Sequence, residues 1–165
     1  MRRLLDKVLE RLLVLLMAVL VLDVLWQVFS RFALRAPSSF TDELARFLFI
    51  WIGLLGAAYV TGQRLHLAID LLAERLSAKS ARRLDKIVQL AVLLFALAVL
   101  VVGGGRLVYV TFTFNQISPT LQIPLGYVYS VVPLSGLLIA FYAIADLVRP
   151  GPGPRAAFAQ EQTGA

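Results

Sequence analysis

Four long apolar runs occupy most of this 165-residue chain, and they restrict what it can fold into more than any other feature. Arg11 and Arg31 bracket the first, Arg46 and Arg64 the second, and Lys86 and Arg106 the third; the fourth runs from about Leu125 to Val148. The bracketed runs hold about 17–19 residues each, the lower part of the length that crosses roughly 30 Å of hydrocarbon as a helix. Flanking arginines at that length are expected to snorkel toward the interface. The runs are rich in Leu, Ala and Val and lack period-2 alternation, which disfavours membrane strands. Composition agrees: 59% of residues are hydrophobic and 16% charged, against about 45–50% and 25% in soluble domains. The fold class expected is an all-α membrane protein with four transmembrane helices. Residues 1–149 form the membrane module, and 150–165, "PGPGPRAAFAQEQTGA" with its Arg149 boundary, read as a disordered cytoplasmic tail.

The N-terminus "MRRLLDKVLERLLVLLMAVLVL" has the basic start and apolar centre of a signal peptide. No small-x-small cleavage pattern follows, and the chain continues through Asp23, Trp26 and Gln27, so a retained first helix is expected. Cysteine is absent, which excludes disulfides and thiolate chemistry.

The net charge of +6 invites a nucleic-acid reading, but the placement of the charges explains it without one. Arg2, Arg3, Lys7 and Arg11 precede the first run; Arg64, Arg75, Lys79, Arg82, Arg83 and Lys86 separate the second and third; Arg149 and Arg155 follow the fourth. The first outer connection carries only Arg31 and Arg35 as basic residues, and none lies between Thr111 and Leu125. The positive-inside rule then puts both termini and the central connection in the cytoplasm, with the 30–42 and 111–125 loops outside. In the central connection Leu65, Ile69, Leu72 and Leu76 recur at helical spacing beside Glu74, Arg75, Lys79, Arg82 and Arg83. That pattern fits an amphipathic helix on the anionic lipid surface, or a plain extension of the second helix.

Ionisable residues within membrane spans are costly and are functional candidates by default. Asp23 and Gln27 lie four apart on one face of the first helix, and Arg106 closes the third. A structural Asp23–Arg106 pair is one expectation, and a coupling carboxylate at Asp23 the other. Asp146 reads as an interfacial residue at the cytoplasmic end. His66, the only histidine, forms an i, i+4 pair with Asp70, so the carboxylate can orient the imidazole. Metal binding would need further ligands, and Glu74 is the one at hand. No cofactor is expected: HExxH, GxSxG and Walker patterns are missing, and "GGGR" at 103–106 lacks a strand–turn–helix setting. Small residues there favour close helix packing. An enzyme is not expected.

Where the second helix begins, "SSFTDELARFLFIW" sets Asp42, Glu43 and Arg46 against the apolar run. Ser39 or Thr41 is expected to cap this helix, with the acids favoured by its dipole and Asp42 paired to Arg46 at i, i+4. With Arg31 and Arg35 these are the charges of the first outer loop, so they also read as a docking surface. "SPTLQIPLGY" makes a neutral second outer loop stiffened by Pro119 and Pro124, and Pro133 predicts a kink by clashing with the Tyr129 carbonyl.

Three segments, "SFTDELARFLFIWIGLLGAA", "RLHLAIDLL" and "SPTLQIPLGYVYSVVPLSGLL", resemble the small membrane subunit, DctQ type, of tripartite ATP-independent periplasmic (TRAP) transporters. The residues carrying the resemblance are Glu43, Leu44 and Arg46; Trp51, Gly53 and Gly56; His66 and Asp70; and Ile123 and Pro124, with Leu67 after His66 a slight departure. It extends in order and spacing over residues 1–148. The resemblance implies a non-catalytic subunit in a bacterial inner membrane. Its partners would be a large transport subunit of DctM type, which it braces, and a periplasmic substrate-binding protein of DctP type, which it helps to dock. Together they would take up organic acids on an ion gradient. Membrane lipid is the other implied contact, and nucleic acid is not. Two other readings fit the residues: a self-sufficient small oligomeric transporter or channel using Asp23, and a membrane-enzyme subunit or assembly factor.

Overall fold

The computed structural model describes residues 2–34, 38–63 and 78–148, all helical apart from their turns. The elements are α1 (Arg2–Phe32), α2 (Ser39–Gly62), α3 (Ala78–Phe95), a π-helical segment (Ala96–Gly103), α4 (Gly104–Thr113), α5 (Leu125–Tyr129) and α6 (Val131–Val148). Four helical stretches are long and apolar enough to span a membrane: Leu4–Phe32, Ser39–Gly62, Arg83–Thr113 and Leu125–Val148. The all-α, four-span fold expected from sequence is therefore found.

The first span is longer than its apolar run. No glycine or proline interrupts residues 2–32, and the helix begins at Arg2, nine residues before the bracketing Arg11; its 31 residues reach about 46 Å at 1.5 Å per residue. The third span also overshoots, from Ala78 to Thr113, so Arg106 lies inside it instead of closing it. The basic residues from Ala78 onward thus begin this span. The remainder of the expected amphipathic helix, 65–77, together with His66, Asp70 and Glu74, lies outside the described residues, as do Arg35 and the tail from 149.

Proline breaks the fourth span, though not as a smooth bend. Pro133 has no N–H for the Tyr129 carbonyl, and the helix is interrupted at Ser130, between α5 and α6. The Trp51 indole of α2 donates to the Val128 carbonyl (3.1 Å), and the Ser130 hydroxyl donates to the Tyr127 carbonyl (2.6 Å). Side chains therefore take up backbone acceptors of α5 just before the break.

The spans pack in an open row. α1 lies on α2, α2 on α6, and α6 on α3 and the π segment, giving the order first, second, fourth, third. The fourth is the covered one: 44% of its apolar window is buried, against 11% for the first span and 17% for the third. Small residues set the close contacts along it. A Cβ on Gly104 would stand 2.6 Å from Val132 Cγ1 and 3.1 Å from Pro133 Cδ; one on Gly136 would stand 2.6 Å from Leu100 Cβ. Close packing expected of the "GGGR" stretch is thus realised at Gly104, whereas Gly105 faces open space. Leu9, Leu55, Val131 and Tyr142 make one core cluster, Ala58, Ala96, Ile139 and Ala140 a second, and Leu20, Ala45 and Leu48 a third between α1 and α2.

Candidate functional site

Polar side chains gather at the two ends of the helices, with isolated ones between. At the end formed by the 114–124 turn, Asn115 (φ 45) and Gln122 (φ 55) adopt left-handed conformations, which reverse the chain tightly. Ile117 and Pro124 bridge, with the Ser118 N–H donating to the Ile123 carbonyl (3.0 Å) and the Leu125 N–H to the Gln116 carbonyl (2.9 Å). Pro124 then serves as the N-cap of α5.

Glu43 reaches across from α2 to this turn. Its Oε2 accepts the Thr120 N–H at 2.9 Å and the Leu121 N–H at 2.8 Å. The buried Ser118 hydroxyl accepts the Leu121 N–H as well (3.2 Å). A carboxylate accepting two backbone donors is a strong, directional tie, so Glu43 fixes the turn to the second span. Its neighbour behaves differently. Asp42 is exposed; its Oδ2 takes Arg46 at 2.6 Å, and its Oδ1 accepts Gln27 Nε2 of α1 at 3.3 Å. The expected Asp42–Arg46 pair is present, and Gln27 extends it to the first helix. Arg31, in the last turn of α1, is exposed at the same end.

The capping expectation needs correction. Ser38 occupies the N-cap position of α2 and makes no side-chain cap bond; Ser39 is already helical, and the Thr41 hydroxyl donates to the Ser38 carbonyl (2.9 Å) instead of accepting an N–H. Of the two acids, Asp42 sits in the first turn, where the helix dipole favours it.

At the other end, a network missed in the sequence joins three spans. Arg2 Nη1 pairs with Asp146 Oδ1 at 2.6 Å, and Arg2 Nη2 donates to the Gly62 carbonyl at 2.9 Å. The buried Tyr142 hydroxyl donates to Asp6 Oδ1 at 2.6 Å, and the Arg2 guanidinium lies 5.5 Å from the Tyr142 ring centre. Gly62 is required here, because a Cβ would stand 2.8 Å from Tyr142 Cζ. Asp146 is accordingly buried, its side chain 3% exposed, and not merely interfacial. A sequence signal existed: an acid at 146 and basic residues at 2 and 3 sit at the same expected membrane side. Which base takes it depends on how α1 and α6 approach, and linear order does not specify that.

Between the ends lie Asp23 and Arg106, and they do not meet. Asp23, 7% exposed, shares a face of α1 with Leu20, which packs on Ala45 and Leu48 of α2; its Oδ2 has no hydrogen-bond partner among the described residues. Arg106 is exposed on α4. The expected Asp23–Arg106 pair fails because the first and third spans occupy opposite edges of the row. Among the described residues no three carboxylate or imidazole side chains converge as a metal cage.

Residues 17–151 match the family model described as tripartite ATP-independent periplasmic transporters, DctQ component. The chain belongs to this family. Similar proteins include a putative TRAP transporter small permease protein of Haemophilus influenzae, 24% identical over 87% of each chain. The sialic acid TRAP transporter small permease protein SiaQ of Vibrio cholerae is 30% identical over 86% of this chain and 80% of its own length. The isethionate TRAP transporter permease protein DctMQ of Oleidesulfovibrio alaskensis is 33% identical over 68% of this chain but only 18% of its own length. In this DctQ chain, two of the segments that carry the resemblance are tied by structure: Glu43 holds the 118–122 turn, and Trp51 donates to Val128. The third, with His66 and Asp70, lies outside the described residues.

Proposed function

We propose that the chain is the small, non-catalytic membrane subunit of a TRAP-type secondary transporter, bracing a large DctM-type subunit and helping to dock a periplasmic binding protein for ion-gradient-driven uptake of an organic acid. The match over residues 17–151 carries this reading. The relative named DctMQ, of which this chain matches a minor part, supports a tight association with a large permease. The open row supports bracing: edge spans with little buried surface present long apolar faces for a partner or lipid. In this reading both termini lie in the cytoplasm, which the basic residues at 2–11 and 64–86 support, and the 114–124 turn faces the periplasm.

The turn is the docking element in this reading. It carries no charge of its own, is held rigid by Glu43, and stands beside the exposed Asp42–Arg46 pair. A preorganised surface loses little conformational freedom on binding. Asp42 and Arg46 meet the partner directly, and Glu43 acts through the turn as a positioning residue. The decisive experiment is reconstituted uptake by the chain with its large and binding-protein neighbours. Transport of a candidate acid should require all three; undiminished transport without this chain would defeat the reading.

Asp23 keeps a second reading in play, a self-sufficient transporter with a coupling carboxylate. Liposomes holding the purified chain alone test it: uptake that Asp23→Asn abolishes would favour it over the brace.

A further inference from the structure

The seam between α1 and α2 holds one acidic side chain that nothing in it satisfies. Leu9, Leu16, Asp23 and Ser30 recur every seventh residue on α1, with Leu20 and Gln27 between them, the spacing of a stripe that packs along one neighbouring helix. Leu9 shares a core cluster with Leu55, Leu20 packs with Ala45 and Leu48, and Gln27 bonds to Asp42. Numbers fall on one helix as they rise on the other, so the two run antiparallel. Ser30 and Thr41, the buried hydroxyls of this seam, are satisfied locally: the first donates to the Gln27 carbonyl (3.0 Å) and the second to the Ser38 carbonyl (2.9 Å). Asp23, 7% exposed, keeps a carboxylate oxygen, Oδ2, with no donor among the described residues.

The Gln27–Asp42 hydrogen bond (3.3 Å) fixes the register that places a donor beside this oxygen. Asp23 lies four residues before Gln27, and Arg46 four residues after Asp42. Each step of four advances about 6 Å along its axis and turns the helix by only about 40° from where it started. Because the helices are antiparallel, both steps lead the same way, away from the 114–124 turn. Asp23 and Arg46 therefore stand at one level, one turn beyond the Gln27–Asp42 contact. Arg46 is folded back along its own helix instead, with Nη2 2.6 Å from Asp42 Oδ2, and its side chain is 74% exposed, so little packing holds it there.

We propose that Asp23 is the second partner of Arg46, taken up when a cation of the docked periplasmic protein displaces Arg46 from Asp42. The contact of Asp42 with that protein rests on the docking reading above; the exchange of partners is carried by the α1–α2 register. The two positions differ in kind. A pair at the surface is weak because water screens it. At Asp23 the guanidinium meets a carboxyl group that burial has stripped of water, a stronger attraction that costs the arginine part of its own hydration. These opposed terms bring the two positions close in free energy, so the occupant of Asp42 decides between them. Docking at the outer surface thereby closes an ion pair inside the seam of the first two spans.

Labelling of the purified full-length chain with dicyclohexylcarbodiimide in mild detergent, mapped by peptide mass spectrometry, tests the exchange. The reagent is apolar, reaches buried carboxyl groups and reacts poorly with one held by a guanidinium. Asp42→Lys puts a cation where the partner's would sit and should slow labelling of Asp23 roughly fivefold or more; adding Arg46→Gln should restore the unsubstituted rate. Both positions are exposed, so helical content should stay unchanged in either variant. Equal labelling of Asp23 in the unsubstituted and Asp42→Lys chains, whether fast or absent in both, would overturn the proposal. So would slowing that survives Arg46→Gln, which would make Gln27 the new partner. In the complete transporter, added binding protein should slow Asp23 labelling in the same way. Slowing by Asp42→Lys with none from the binding protein would establish the exchange and defeat instead the docking role given to Asp42.

Discussion

Asp42 and Glu43 are adjacent acids of one helix start, yet their surroundings give them separate tasks. Asp42 stays at the surface with Arg46 and Gln27, while Glu43 is committed to the backbone of the 118–122 turn. Replacing Glu43 by Ala should leave the membrane level of the chain intact and speed amide hydrogen exchange at Thr120 and Leu121. Uptake by the assembled transporter should fall with it, and Glu43→Gln, which keeps one acceptor oxygen, should lie between. Unchanged exchange at both amides would show that the turn holds itself. At the opposite end, Asp146→Ala leaves Arg2 without its partner. Removing one member of a buried pair costs ~3–5 kcal/mol, but the Arg2 side chain is 33% exposed and water screens part of the loss. A destabilisation of about 2 kcal/mol is expected in denaturant titrations in detergent, with Tyr142→Phe a smaller loss of about 1 kcal/mol from the Asp6 hydrogen bond.

Helix lengths and breaks obey both local chemistry and neighbours. The interruption at Ser130 was legible from Pro133, because the missing N–H is a property of that residue alone. The π segment was not. It lies where Leu100 and Val101 meet Gly136 across the row, and its composition, "ALAVLVVG", is that of any membrane helix. The three glycines at 103–105 are alike in sequence and unlike in place. Gly104→Ala forces a Cβ to 2.6 Å from Val132 Cγ1 and should destabilise by ~1–3 kcal/mol through overpacking. Gly105→Ala meets nothing within 4 Å and should be neutral or stabilise by up to about 1 kcal/mol, because alanine loses less backbone entropy in a helix. Thermal unfolding of the two variants side by side checks the contrast; equal effects would mean that the fourth span does not approach α4 as closely as described.

Across the whole molecule, orientation and packing separate what linear order holds from what it does not. The distribution of Arg and Lys assigns sides, and labelling checks it: Asn115→Cys should react with a membrane-impermeant thiol reagent in intact cells, and Gln63→Cys only after permeabilisation. The opposite pattern would invert the chain. Four spans, their approximate centres and the Asp42–Arg46 pair followed from hydropathy and i, i+4 spacing, since these depend on residues close in the chain. The order of spans across the row, the burial of Asp146 against Arg2, the reach of Glu43 to residues 120 and 121, and the separation of Asp23 from Arg106 did not follow. In a membrane an apolar helix face is satisfied by lipid as well as by another helix, so hydropathy places spans in the bilayer without saying which ones touch. The close approaches at Gly62, Gly104 and Gly136 decide that, and with it which charges find partners inside the chain and which are left to face outward.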